Sequence, residues 1–336
     1  MTDGSDSTWE TLEHSRNIHQ QRKFSNEMTT KVHQMISLLS STLNLHINVG
    51  QNCQINTPEV FMSMETLSTT SLSNKSIEPV SNARIQLPLN FTTNYNGTIS
   101  LRSMLKPLAS YGNDRSQPNT NLSTSISLSL LDQNGNEISP IVNMSNPIVL
   151  TIPRDPNLTI PPMILQKVTT LNSTLHNQSF HYHYMNITNS FSISAHIAFR
   201  PLNTNLTYLF IYKFDDVPQW NQSDGWTIFT PSNLLSDGTY KYFIDNQRTR
   251  GHRFVLFGIR ELNPTDILQF RTKSSSSTNL PILNGKLNFT SDYELRLYTS
   301  GCYYFDENNN WQSDDILVSE TLIPLKFSSD FLSGWT

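Results

Sequence analysis

Short segments of alternating apolar and polar residues, separated by turns, fill the chain after residue 58 and restrict its fold more than any other feature. In residues 126–130 apolar residues alternate with serines, and residues 133–136 (Gln-Asn-Gly-Asn) then supply an Asn-Gly hairpin turn. The alternation returns in residues 193–199 and again in residues 293–297. Many short strands at this spacing predict a mainly β protein, an antiparallel β-sandwich rather than a series of βαβ units.

A helix is predicted only near the N-terminus. Apolar residues recur there at spacings of three and four, the pattern of an amphipathic helix: Met28, Val32, Met35, Ile36, Leu39 and Leu43. Ser25 is a suitable N-cap for this helix, and Pro58 prevents the helix from continuing beyond it. We expect the side chains of Met28 and Met35 to pack in the core. We therefore expect an unstructured or truncated segment over 1–24 and a helical segment over 25–58, its helix at 25–45. A β-sandwich over 59–318 and a tail over 319–336 follow.

The composition favours an extracellular β protein. Charged residues make up 15% of the chain, below the roughly 25% of ordinary soluble domains, and 10% aromatic residues argue against disorder. A net charge of −4 excludes the basic surface that nucleic-acid binding requires. No apolar run reaches the ~18–20 residues of a membrane helix, and the polar N-terminus is unlike a signal peptide. We expect the chain to be part of a longer protein whose signal and membrane segments lie outside it.

Asn-x-Ser/Thr triplets, the acceptor sequence for N-glycosylation in secreted proteins, occur only after the predicted helix. The candidate glycosylation sites are Asn74, Asn90, Asn96, Asn121, Asn143, Asn157, Asn172, Asn177, Asn186, Asn205, Asn221 and Asn288. Their placement fits the exposed loops of a β protein. Two cysteines, Cys53 and Cys302, either form one disulfide or remain separate thiols, and the sequence leaves both alternatives open.

No metal site, cofactor site or catalytic centre is predicted. His181 and His183 lie on one face of a strand, but no third zinc ligand follows at a suitable spacing, so a half-exposed strand is the preferred interpretation. Residues 306–310 resemble the opening of a calcium loop, yet Trp311 replaces the turn glycine and Leu317 replaces the closing glutamate. Phosphate-binding, dinucleotide-binding and nucleophile-elbow motifs are absent from the sequence. We therefore expect a protein that is not an enzyme.

Two segments resemble a known family. The first is Asp-Gly-Thr-Tyr-Lys-Tyr-Phe-Ile-Asp-Asn at 237–246, followed by an apolar run at 254–259. The second is Tyr-Glu-Leu-Arg-Leu-Tyr at 293–298, followed by Gly-Cys-Tyr-Tyr-Phe at 301–305 and by Trp311. Together they resemble the β-subdomain of a GAIN domain as it occurs in polycystin-1-type proteins, with the start of its embedded GPS motif.

The resemblance implies a self-cleaving site that this sequence does not complete. In the family, a Ser or Thr hydroxyl attacks the preceding carbonyl while a histidine acts as general base. Here Phe331 precedes Leu332 and Ser333, and no histidine or cysteine follows residue 318. The residues of this degenerate GPS motif are Cys302, Tyr303, Tyr304, Trp311, Leu332 and Ser333. Trp311 is expected to be buried beside Cys302, and self-cleavage is not expected.

The expected function is therefore that of a non-catalytic extracellular domain of a polycystin-type receptor or channel subunit. Adhesion, mechanosensing, signalling and a calcium channel complex are the roles that the resemblance implies for the whole protein. Its location would be the extracellular face of the plasma membrane, with the membrane reached only through parts outside this chain. The alternative is a free secreted β-sandwich that binds a glycan or a protein partner, with Trp220 and Trp226 stacking on sugar. No nucleic-acid partner is expected.

Overall fold

The structure is a computed structural model that describes residues 6–58, 60–79, 83–107, 124–138, 146–152, 160–175, 177–188, 191–270, 280–283, 285–305, 311–313, 316–318 and 324–327. The α-helices are α1 (Asp6–Asn44), α2 (Asn172–Leu175), α3 (Asn246–Thr249) and α4 (Pro264–Phe270). The strands are β1 (Asn52–Asn56), β2 (Phe61–Ser68), β3 (Ser76–Ile77), β4 (Arg84–Gln86), β5 (Thr98–Pro107), β6 (Thr124–Leu131), β7 (Ile148–Thr151), β8 (Ile164–Gln166), β9 (His181–Asn186), β10 (Ser194–Pro201), β11 (Thr207–Phe214), β12 (Gly225–Phe229), β13 (Tyr240–Ile244), β14 (Phe254–Leu262), β15 (Tyr293–Ser300), β16 (Tyr304–Phe305), β17 (Trp311–Gln312), β18 (Ile316–Leu317) and β19 (Pro324–Phe327). The protein is mainly β, as predicted, and the paired strands described below are antiparallel.

The chain forms two compact units. The first unit comprises residues 1–158, 305–310 and 321–336, and the second, here called the sandwich unit, comprises residues 159–304 and 311–320. The single sandwich predicted over 59–318 is thus divided near residue 158. The residues on both sides of 158 have the pattern of short strands, so this pattern does not indicate where one unit ends and the next begins.

Helix α1 is longer and more exposed than the sequence pattern indicates. It begins at Asp6 rather than near residue 25, because residues 6–24 contain no Gly or Pro although they lack apolar periodicity. The apolar stripe faces solvent: Met28 is 47% exposed and Met35 is 69% exposed. The expected core packing of these two methionines is therefore wrong.

The C-terminal end of α1 is fixed to a four-stranded sheet of the first unit, with strand order β1-β2-β5-β6. The side-chain amide of Asn44 donates to the carbonyl of Asp132 at 2.7 Å. Arg102 donates to the hydroxyl of Ser40 at 3.1 Å and pairs with Glu137 at 2.5 Å. These polar contacts hold the last turns of the helix against β5 and β6.

The hairpin turn predicted at residues 133–136 is confirmed. The carboxylate of Asp132 accepts backbone N–H bonds from Asn134 and Asn136, both at 2.8 Å. Gly135 has a φ of +83° in this turn, which side-chain-bearing residues rarely adopt. A Cβ at this glycine would also lie 2.5 Å from the hydroxyl oxygen of Ser41 on α1. The glycine is required both by the turn and by the helix that crosses it.

A second antiparallel sheet of the first unit contains β3, β4, β7 and β19 as successive neighbours. Strand β19 pairs with β7, so that Leu325 lies opposite Leu150 and Phe327 opposite Ile148. Part of the tail expected over 319–336 is therefore a strand in this unit.

The sandwich unit consists of two four-stranded antiparallel sheets. Sheet A has strand order β13-β10-β15-β8, and sheet B has strand order β12-β11-β14-β9. One apolar cluster contains residues from both sheets, including Phe199 and Tyr293 of sheet A with Phe210 and Phe257 of sheet B, each no more than 1% exposed. Alternate residues of each strand face this core, and their burial drives the two sheets together.

The outer face of sheet B is also covered. Leu209 and Ile211 on β11 contact a second apolar cluster with Phe180, and Phe270 of α4 belongs to the same cluster. Because both of its faces are buried, β11 reads as a continuous apolar and aromatic run instead of an alternating one. Gly258 on β14 lets Phe180 approach the strand, since a Cβ there would lie 2.7 Å from the Cβ of Phe180.

Candidate functional site

The two segments that resemble the GAIN β-subdomain form strands of one sandwich. Residues 237–246 contain the turn before β13 and β13 itself, and residues 254–259 belong to β14. Residues 293–298 lie in β15, on the other side of β10 from β13. Strands from both segments contribute buried aromatic residues to the same core, among them Tyr240, Phe257 and Tyr293.

Cys302 and Tyr303, the first residues of the degenerate GPS motif, follow β15 directly and are half-buried. The ring of Tyr303 contacts the ring of Phe191 edge to face, with centroids 5.1 Å apart. Burial raises the pKa of the Cys302 thiol to about 12, so the group is a protonated thiol at neutral pH. Cys53 and Cys302 are both free thiols in this structure, and because they lie in different units their pairing stays open.

The remaining residues of that motif are described in part or not at all. Tyr304 lies in β16, and the backbone of Trp311 lies in β17. The side chain of Trp311 is outside the described residues, so its expected burial stays a prediction. Leu332 and Ser333 lie outside the described residues, as does the calcium-loop-like segment 306–310.

Most described asparagines of the glycosylation triplets are exposed: Asn74, Asn90, Asn96, Asn177, Asn186, Asn205, Asn221 and Asn288. Asn172 differs, because its side-chain amide is half-buried. The amide nitrogen donates to the carbonyl of Phe289 and the amide oxygen accepts from the N–H of Phe289, both at 2.9 Å. Asn121, Asn143 and Asn157 lie outside the described residues. The geometry therefore leaves room for a glycan at the exposed positions and opposes one at Asn172.

The two tryptophans considered for sugar stacking pack inside the sandwich unit. Trp226 is 6% exposed and contacts Phe270 with ring centroids 5.9 Å apart. The rings of Trp220 and Phe180 are tilted by 45° with centroids 4.6 Å apart, and the guanidinium of Arg260 lies 5.7 Å from the centre of the Trp220 ring. Trp226 is therefore buried, whereas Trp220 is half-buried.

A cluster of two histidines and a tyrosine links the two sheets of the sandwich. The two histidines predicted on one face of a strand lie on β9 and point toward the other sheet. Nδ1 of His181 lies 2.6 Å from the hydroxyl of Tyr293 on β15, and Nε2 of His183 lies 2.7 Å from the same hydroxyl. The ring of His183 also stacks on Phe257 of the core at 5.1 Å. The preferred interpretation of a half-exposed strand missed this link, because the sequence does not indicate that β9 and β15 face each other.

Burial keeps the whole cluster uncharged at neutral pH. It lowers the pKa of His181, and burial together with the neighbouring His181 lowers the pKa of His183 to about 3. Burial also raises the pKa of Tyr293 well above its usual value. With both imidazoles neutral, the phenol donates its proton to one ring nitrogen and accepts an N–H bond from the other. The arrangement is a polar bridge between the sheets.

A cleft of about 220 Å³ adjoins this bridge at one side of the sandwich. It lies between the edge strands β8 and β9, and its lining is mostly apolar: Pro161, Pro162, Ile164, Gln166, His183, Tyr184, Leu295, Arg296 and Leu297. Among the residues that the structure describes, no group of three or more His, Cys, Asp or Glu side chains could hold a metal ion. Over the same residues, no helix is both long and apolar enough to cross a membrane.

No protein-family model, curated protein or solved structure matches this chain.

Proposed function

We propose that this chain is a non-catalytic extracellular module of a polycystin-type membrane receptor or channel subunit. In that setting it would serve adhesion, mechanosensing or signalling, within a calcium channel complex. One observation carries the proposal: the two segments that resemble the GAIN β-subdomain supply β13, β14 and β15 to a single aromatic core. The residues that resemble the start of a GPS motif follow β15 without interruption.

The exposed glycosylation triplets support an extracellular location. Glycans require an asparagine side chain that reaches solvent, and the described triplets other than Asn172 provide one. The thiol of Cys302 is protonated and half-buried, which suits a packing role rather than a reactive one. A secreted module that binds sugar through Trp220 and Trp226 is not favoured, because both indoles pack against other side chains.

The non-catalytic part of the proposal is tested by expressing the chain through a secretory pathway and examining it on a denaturing gel. We expect one intact polypeptide, because Phe331 stands where the cleavage reaction needs a general base, and loss of such a base costs ~10²- to 10⁴-fold in rate. The Ser333→Ala variant should migrate identically. A pair of fragments in the parent chain, with a new N-terminus at Ser333 and one band in the variant, would overturn the proposal.

A further inference from the structure

Strand β9 is an edge strand of sheet B that leaves backbone hydrogen-bonding groups unused. Within the described residues it pairs only with β14, at the end of the strand order. The N–H of Ile187 donates to the carbonyl of Arg253 at 3.0 Å, which sets the phase of the ladder. In an antiparallel ladder, residues that bond to the neighbouring strand alternate with residues whose N–H and C=O groups point away from it. Ile187 bonds to the neighbouring segment, so the N–H and C=O groups of Tyr182, Tyr184 and Asn186 point away from β14.

This edge lacks the usual protection against strand pairing. The residues of β9 are His-Tyr-His-Tyr-Met-Asn, with no Pro, Lys, Arg, Asp or Glu. Both edges of sheet A are guarded: Pro161 and Pro162 precede the three-residue β8, and β13 carries Lys241 with 45% of its side chain exposed. Tyr184 on β9 remains 57% exposed.

The cleft described above lies beside the same edge, on its inward side. Its aliphatic lining includes Ile164 of β8 with Leu295 and Leu297 of β15, and Pro161 and Pro162 continue that wall. Ile164 is 63% exposed, so this apolar surface is incompletely covered by the chain itself. A strand added next to β9 would turn alternate side chains toward this cleft.

We propose that the free edge of β9 and the adjoining cleft form a docking site for an extended peptide segment of a partner protein. The segment adds to sheet B as a strand antiparallel to β9 and inserts an aliphatic side chain between the two sheets. Backbone bonds to Tyr182, Tyr184 and Asn186 hold the segment, and the cleft selects its inward side chain. The inference depends on the geometry of the sandwich and is independent of the polycystin resemblance.

The chemistry of the site determines this occupant. Unpaired N–H and C=O groups in strand register are satisfied by an extended backbone and not by a helix or a sugar. The lining also contains Gln166 and Arg296, but most of it is apolar, so an uncharged aliphatic side chain fits the cleft best. The volume suits one large aliphatic side chain.

A matched set of synthetic peptides tests the proposal on the unmodified full chain. The probe is acetylated and amidated Lys-Val-Thr-Leu-Thr-Val-Lys, in which Val and Leu face the cleft. In an antiparallel addition the threonine N–H groups bond to β9, whereas those of Val and Leu point away. N-methylation of both threonines should weaken binding at least tenfold, and N-methylation of Leu should change it less than threefold. Replacing the central Leu with Asn, which has a similar size but is polar and uncharged, should also weaken binding at least tenfold.

Two readouts locate the site. Hydrogen exchange should slow at the amides of Tyr182, Tyr184 and Asn186 when the probe is bound. The Tyr184→Pro variant removes an edge N–H without removing a bond to β14 and should lose binding. The Tyr184→Phe variant keeps both that N–H and the aromatic ring beside the cleft, and it should retain binding.

Four outcomes would overturn the proposal. They are equal binding of the threonine-methylated probe, protection of a different edge, and no saturable binding at about 1 mM probe. The fourth is dimerisation of the chain alone with protection of the same amides, which would make a second copy the occupant.

Discussion

At the scale of single residues, the link between His181, His183 and Tyr293 shows what a sequence pattern does and does not contain. Spacing of two placed both imidazoles on one face of a strand, and β9 has that arrangement. Their partner lies 110 residues beyond His183, on a strand of the other sheet. Local alternation identifies which residues share a face, but it cannot identify which strands face each other across a core.

This link predicts a loss of stability in mild acid. Folding lowers the pKa of both histidines, so their stabilising contribution is complete above the unfolded value near 6.5 and declines as the pH falls toward the folded value, about 3 for His183. The free energy of unfolding should drop by about 2–3 kcal/mol between pH 6.5 and 4.5, if His183 remains neutral in the folded state. Denaturant titrations at a series of pH values measure this slope.

A matched variant assigns that slope to the cluster. Burial raises the pKa of Asp132 and Asp215, but their hydrogen bonds together outweigh it, so both pKa values are lowered. The hydrogen bond from Thr239 lowers the pKa of Asp237. The stabilisation that these three carboxylates provide is therefore present above their ordinary pKa of 3.8 and is lost as the pH falls below it. The double variant His181→Gln, His183→Gln should therefore flatten the profile between pH 6.5 and 4.5. An unchanged slope in that variant would contradict the assignment.

At the scale of secondary-structure elements, α1 shows where periodicity misleads. An apolar stripe at spacings of three and four predicts burial, yet Met28, Met35 and Leu39 of the stripe on α1 are exposed. Asn44 in the last turn bonds the carbonyl of Asp132, next to β6. The helix itself was predictable from its apolar spacing. Its start was not, because residues 6–24 are helix-forming but carry no apolar face.

An exposed methionine and a buried methionine of the first unit allow a direct comparison of how much each side chain stabilises the fold. Met35→Ala should change the free energy of unfolding by less than about 0.5 kcal/mol, since the side chain is 69% exposed. Met64→Ala on β2 should cost about 2–5 kcal/mol, because that side chain is completely buried. Chemical denaturation of both variants measures the difference. Equal losses would mean that α1 packs against a surface through its stripe.

Strand β14 depends on a glycine for steric reasons. Gly258→Ala should destabilise the sandwich unit by about 1–3 kcal/mol, because the new Cβ would lie 2.7 Å from the Cβ of Phe180. Gly285→Ala is the control, since its Cβ would meet only the guanidinium of Arg260 at 3.6 Å, an ordinary contact. Thermal unfolding compares the two variants, and a Gly258→Ala protein as stable as the control would refute the close approach.

At the scale of the whole molecule, the fold class was predictable and the division of the chain was not. Alternating segments indicated antiparallel β-structure, and the Asn-Gly turn and several strands formed where the pattern placed them. The boundary near residue 158 and the pairing of β19 with β7 depend on long-range contacts that no local pattern records. The neighbours of Trp220 and Trp226 could not be predicted for the same reason, because they come from distant parts of the sequence.

The central claim, that this is an extracellular β module, is tested most directly by mapping glycans on the protein isolated from the cells that make it. Mass spectrometry of its peptides, before and after enzymatic removal of N-glycans, reports occupancy at each triplet. We predict glycans at exposed positions such as Asn205, Asn221 and Asn288, and none at Asn172, whose amide bonds the backbone of Phe289 in both directions. Protein that carries no glycan at any exposed triplet would contradict the extracellular assignment.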